Sequence, residues 1–169
     1  MILRAMPHPP PPPPSGLPPG PEPATIRDLL SYRIHRLANA LSRGAARRYR
    51  LEFGVSLMEW RILALLGGFA PLTLRDLARE SGLDKAQASR AVKALVARGL
   101  VERATGTQDA REVALRLSAE GARLQDGLMQ AARARDAAFR AALPAETLAV
   151  LEEAIRLLQA EARRQTPPE

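Results

Sequence analysis

The chain has 169 residues, of which 25 are Lys or Arg and 18 are Asp or Glu, for a net charge of +7. That length holds one domain plus an appendage, and the basic balance favours nucleic acid or an anionic surface as partner. The absence of Cys excludes a disulfide framework, thiolate metal ligation and thiol-based redox sensing within the chain. Lys85 and Lys93 are the only lysines, so the Arg, Ala and Pro excess is a compositional bias and the position of charge matters more than its total. With aromatics at 4% and Ala and Leu abundant, the core is aliphatic and the architecture is expected to be mostly helical. No apolar run approaches the roughly 20 residues that span a bilayer, and residues 1–6 lack the apolar region of a secretory signal. The expectation is a soluble, cytoplasmic protein with no membrane partner.

Residues 1–24 are Pro-rich, with an unbroken proline run over 9–14. Such a segment holds polyproline II but has little to bury. It reads as a disordered tail or, alternatively, as a ligand for a proline-binding domain. A long helix is predicted from Ala24 or Thr25 to about Arg50. Ile26, Leu29, Leu30, Ile34, Leu37, Ala38, Leu41 and Ala45 recur at three and four residues and form one apolar stripe. Arg43, Arg47, Arg48 and Arg50 crowd its C-terminal end, where cations suit the helix dipole; they either reach phosphates or form a solvated face. A second helix starts after Ser56, which with Glu59 makes a capping box, while Val55 and Trp60 occupy the staple positions. Gly67 and Gly68 are expected to end it near Leu66.

From Leu74 the pattern changes to two short helices joined by a tight turn. Small Ala78 sits where the helices cross, and Gly82 follows where the turn needs a residue free to take positive φ. Leu77, Leu83, Ala88 and Ala91 fall on the facing sides, and Ser81 is a polar residue at a position that is usually apolar. Thr73 with Asp76 caps the first of the pair, and Asp84 with Gln87 caps the second. A strand is predicted over residues 101–104. A second, half-buried strand is predicted where Val113, Leu115 and Leu117 alternate with Ala114 and Arg116. The two make a hairpin, the wing. Ser118 caps a fifth helix running through Leu124, Leu128, Ala132 and Phe139 to about Leu143. Pro144 is expected in the first turn of a sixth, where Leu148, Leu151, Ile155 and Leu158 form an apolar seam. A seam on a terminal helix wants a partner, either the first helix or a second subunit.

Three stretches in this order are similar to the MarR family of bacterial transcription regulators. They are Met58-Glu-Trp-Arg-Ile-Leu-Ala-Leu-Leu; Leu74-Arg-Asp-Leu-Ala through Lys93-Ala-Leu-Val-Ala-Arg-Gly-Leu-Val-Glu-Arg; and Asp109-Ala-Arg111 followed by Leu115-Arg-Leu-Ser-Ala-Glu-Gly121. The resemblance covers roughly residues 25–164. It implies a mostly α fold with a small β wing: a winged helix-turn-helix over 56–117 and a helical dimerisation region over 25–50 and 118–164, with a tail over 165–169. It also implies a homodimer on a palindromic double-stranded DNA operator and repression relieved by a small molecule. The stretch from Ala104 to Gln108 carries less charge than the family's wing usually does.

Winding the second helix of the pair at 3.6 residues per turn puts Ala88, Ala91, Val92, Leu95 and Val96 on one face and Lys85, Ala86, Ser89, Arg90 and Lys93 on the other. Arg90 is the expected base reader, because its fork makes two hydrogen bonds to guanine. Ser89 suits a base or a phosphate, and Lys85 and Lys93 suit phosphates. Gln87 either caps its own helix or reads a base. Thr73, at a helix N-terminus, offers its hydroxyl and backbone N–H groups to a phosphate. At the wing Arg111 is the candidate for the minor groove, and the resemblance implies that Asp109 orients it. Relatives bind effectors between the dimer helices and the DNA-binding lobe, which nominates Tyr32, His35, Arg36, Met58 and Trp60 for an aromatic acid. No phosphate-cradling Gly loop, nucleophile elbow or metal-spaced cluster appears, so neither an enzyme nor a cofactor is expected. The alternatives are a winged helix used as a protein-interaction adaptor, or a sequence-independent DNA-coating protein.

Overall fold

The computed structural model describes Glu22 and residues 24–103 and 114–165. The chain divides into two compact units, residues 1–41 and 42–169, with the division falling inside the first long helix.

In the first unit, Thr25 does not open the long helix. It caps a 3-10 turn over Ile26–Asp28, where the Asp28 carboxylate accepts from the Thr25 N–H at 2.9 Å. Leu29 then goes extended, with ψ 128°. This strong local cap closes on itself within one turn, and helix α1 starts afresh at Leu30–Phe53, three residues longer at its far end than the Arg cluster suggested. The apolar stripe of the sequence is present, but Ile26, Leu29, Leu30, Ile34 and Leu37 are all exposed.

The second unit carries the core. Ala45 and Tyr49 of α1 are buried, and the Tyr49 ring lies 5.3 Å from that of Trp60. Burial pushes the Tyr49 phenol above its ordinary pKa. Helix α2 (Leu57–Phe69) begins at the expected capping box: Glu59 accepts from the Ser56 N–H at 2.7 Å, and the Ser56 hydroxyl accepts from the Glu59 N–H at 3.2 Å. Fully buried Val55 and half-buried Trp60 join one cluster. The helix does not stop at Gly67 and Gly68. It runs on to Phe69 and ends because Pro71 holds Ala70 extended. Gly67 instead marks a close approach, since a Cβ there would lie 2.7 Å from the Gln125 side chain.

Strand β1 (Leu72–Thr73) leads into helix α3 (Leu74–Ser81), the turn at Gly82 and helix α4 (Lys85–Ala97). Gly82 takes φ 66°, the left-handed conformation the turn was expected to need. Ser81 is accommodated by bonding back to the Leu77 carbonyl, so its hydroxyl is satisfied inside its own helix. Strands β2 (Val101–Arg103) and β3 (Ala114–Leu117) pair antiparallel, with Val101 opposite Leu117. The expected hairpin is in fact a three-stranded sheet of order β1-β3-β2, because β1 adds to the free edge of β3. Two residues are too few to show a strand period. Val113 lies outside the described residues. Simple alternation fails at the start of β3, where both Ala114 and Leu115 are buried.

Helix α5 (Ala119–Ala141) follows the Ser118 cap and ends two residues short of Leu143. Phe139, expected on its apolar stripe, is exposed beneath the Arg135 guanidinium at 4.8 Å. Pro144 stands just before helix α6 (Ala145–Gln165) rather than in its first turn; its carbonyl accepts from the Leu148 N–H at 3.0 Å. No residue of α6 is buried.

Candidate nucleic-acid interface

Helix α4 is two-sided. Ala88, Ala91, Val92 and Leu95 are buried in the core, and Lys85, Ala86, Arg90 and Lys93 are exposed, with Ser89 and Gln87 half-buried between. Val96 departs from the expectation: it is 44% exposed, because the last turn of α4 overhangs a groove instead of the core. Asp84 caps the helix by accepting from the Gln87 N–H at 2.7 Å. The Gln87 side chain makes no return bond of the kind that completes the boxes at Ser56 and Thr73, so of its two readings the reciprocal cap is not realised.

The charges sort themselves by partner. Arg79 pairs with Asp76 and Glu80, Arg98 with Glu59, and Arg116 with Glu102 across the β2–β3 pair. Among the described residues Lys85, Arg90 and Lys93 have no ion pair, and neither do Arg75 on α3 or Arg103 on β2. Helix α4 and the elements beside it thus carry five cations free of ion pairs among the described residues, though exposed arginines without one also stand on α1 and α5. Sequence reasoning missed Arg75 and Arg103. Arg75 was legible, two residues after a cap and off the apolar face of α3. Arg103 was not, because its position depends on strand pairing. Arg103 joins Ser89 and Lys93 in lining a groove of about 390 Å³, whose apolar wall includes Leu74, Val92, Val96 and Leu115.

Thr73 sits at the N-terminus of α3 with its hydroxyl already committed, donating to the Asp76 carboxylate at 2.7 Å. That bond, with the backbone N–H of Thr73, holds the Asp76 carboxyl below the ordinary carboxylate range. Asp109 and Arg111 lie outside the described residues. The five residues nominated for a ligand fall in different units. Tyr32, His35 and Arg36 belong to the first, where His35 Nε2 is 2.8 Å from the Asn39 amide nitrogen. Met58 and Trp60 belong to the second, the one exposed and the other packed on Tyr49. None of the five lines the groove beside α4. Among the described residues no group of His, Asp and Glu is placed to hold a metal, and no helix is long and apolar enough to cross a membrane.

A two-sided helix after a left-handed glycine turn, followed by an antiparallel sheet, is the winged helix-turn-helix arrangement. Residues 53–112 match the sequence profile of the MarR family. A MarR/EmrR family transcriptional regulator from Acinetobacter sp. ADP1 superposes with a TM-score of 0.73 at 25% identity, over 80% of this chain and 95% of that one. The fold is that of the MarR-family winged-helix regulators. Two further MarR-fold structures show the same architecture. NadR in complex with 4-hydroxyphenylacetate has a TM-score of 0.65 at 25% identity, over 84% of this chain and 97% of that one. The S. aureus MepR–DNA complex has a TM-score of 0.72 at 16% identity, over 79% and 98%. No curated protein matches the chain. The profile match and the Acinetobacter neighbour support a DNA-binding transcription regulator.

Proposed function

We propose that the protein is a dimeric, sequence-specific regulator that reads a palindromic operator with α4 and represses until a small ligand releases it. The observation that carries this reading is the outer face of α4, where Lys85, Arg90 and Lys93 stand exposed and unpaired among the described residues while the inner face is buried. Arg90 reads guanine, Ser89 a base or phosphate, and Gln87, with its side chain not held in a cap, is available for an adenine edge. Lys85 and Lys93 neutralise phosphates, while Thr73 would join them only by releasing its hydroxyl and N–H from Asp76. Arg111 enters the minor groove, oriented by Asp109. MepR, which shares the fold, was captured on DNA. NadR, captured with 4-hydroxyphenylacetate, supports an aromatic acid as the effector class.

Dimerisation rests on the exposed apolar seam of α6, where Leu151, Ile155 and Leu158 meet solvent in the single chain, and on the exposed stripe of residues 26–37. The test is a titration of DNA from upstream of the protein's own gene against random DNA at several salt concentrations. A specific regulator prefers its site by roughly 10³–10⁷. Equal affinity for both would indicate a coating protein, and no affinity for either a protein-interaction adaptor.

A further inference from the structure

The C-terminal end of α4 is held by two polar joints that touch no part of its exposed face. On one side the Arg98 guanidinium donates to Glu59 Oε1 at 3.2 Å, across 39 residues of sequence. The same carboxylate accepts from the Ser56 N–H through its other oxygen. The Glu59 side chain is 13% exposed and that of Arg98 40%, and both carboxylate oxygens are engaged. On the other side the Ser118 hydroxyl donates to the Gly99 carbonyl at 2.6 Å and the Ser118 N–H to the Leu100 carbonyl at 3.1 Å. Gly121 lies so close that a Cβ would sit 1.9 Å from the Leu100 oxygen. The N-termini of α2 and α5 thus both close on the point where α4 ends. At its other end α4 has its own Asp84 cap and the glycine turn to α3. A small tilt about this end displaces Arg90, about two turns away, and Lys85, about three and a half turns away, progressively more.

We propose that the Glu59–Arg98 pair is a positioning contact for DNA reading, setting the angle at which α4 presents Arg90 without touching DNA. This rests on the regulator reading above. The pair also links α4 to the first turn of α2, so a displacement there changes operator affinity.

The sign of one substitution separates positioning from charge. Glu59→Gln keeps an acceptor for the Ser56 N–H and removes a negative charge from the DNA-binding unit. By electrostatics alone it tightens binding to every DNA. If the pair positions α4, Glu59→Gln weakens operator binding about threefold to tenfold while affinity for random DNA of equal length holds or rises, and the melting temperature stays near that of the parent. Arg98→Gln lowers the same operator-to-random ratio, and the double variant is no worse than the worse single one. Arg98→Lys, which keeps the charge and a donor, recovers part of it. Unchanged or tighter operator binding by Glu59→Gln, or strictly additive effects in the double variant, overturns the positioning role while leaving the regulator reading intact. A parent protein that does not distinguish operator from random DNA overturns both.

Discussion

Helices α4 and α6 start from similar material and end in opposite circumstances. Each is Ala-rich, and each carries apolar residues at three- and four-residue spacing. Helix α4 completes its apolar face within the chain, burying Ala88, Ala91, Val92 and Leu95, and leaves its charged face unpaired. Helix α6 pairs its charges along itself, Glu153 with Arg156 and Glu161 with Arg164, and leaves its apolar face open. An unfinished polar face calls for a polyanion; an unfinished apolar face calls for another apolar face. The same helical pattern therefore points to DNA in one case and to a second subunit in the other.

The sharpest way to break this contrast is at the buried side of α4. Leu95 is fully buried, so Leu95→Ala should cost about 2–5 kcal/mol of stability, measured by chemical denaturation. Little loss would mean that α4 is not seated on the core as described. Next comes Ile155→Glu on α6, which places a charge in the open seam. If the proposed dimer forms through this seam, the substitution shifts sedimentation to the monomer while leaving helicity intact, since no α6 residue is buried within the chain; a fall in helicity at the monomer level would place the seam inside the fold. Arg90→Ala follows, at roughly 1–3 kcal/mol on the operator with relaxed preference at one position. Arg75→Ala should weaken all DNA more uniformly and lower the salt slope by about one. If instead Arg75→Ala relaxes preference at a single position, α3 reads bases and the division of labour is wrong.

The smallest effect is one of pH. The Thr73 hydroxyl, then its backbone N–H, holds the Asp76 carboxyl below its ordinary range. A depressed carboxylate contributes stability above its unfolded pKa, and that contribution fades as pH falls through the folded value. The parent should thus lose a little more stability than Thr73→Ala between neutral and strongly acid pH. Parallel pH profiles for the two would show that the cap bond does not bias Asp76.

The parts of the interface legible in the chain were those decided within about four residues. Ser56 with Glu59, Thr73 with Asp76 and the turn at Gly82 all stand as expected, because a cap or a left-handed turn satisfies its own backbone groups locally. The period of α4 separated Arg90 and Lys93 from Ala91 and Leu95 for the same reason. The period wrongly put Val96 on the buried face, since exposure at the end of a helix depends on how far the neighbouring sheet extends. Nor did it reveal Arg103, which meets Ser89 and Lys93 only through the pairing of β2 with β3. The local cap at Thr25 was even misleading, since a bond strong enough to start a helix closed a single turn instead.

By itself the sequence determined the helical periods, the caps, the glycine turn and the order of elements that resembles the MarR family, because each rests on backbone hydrogen bonding and side-chain spacing along one stretch of chain. Only the tertiary structure decided that β1 joins the wing and that Gly121 fits beneath the Leu100 carbonyl. It alone brought Glu59 to Arg98 and left the seam of α6 uncovered. Those outcomes depend on which distant surfaces meet, and burial and charge pairing between remote residues have no signature in local spacing.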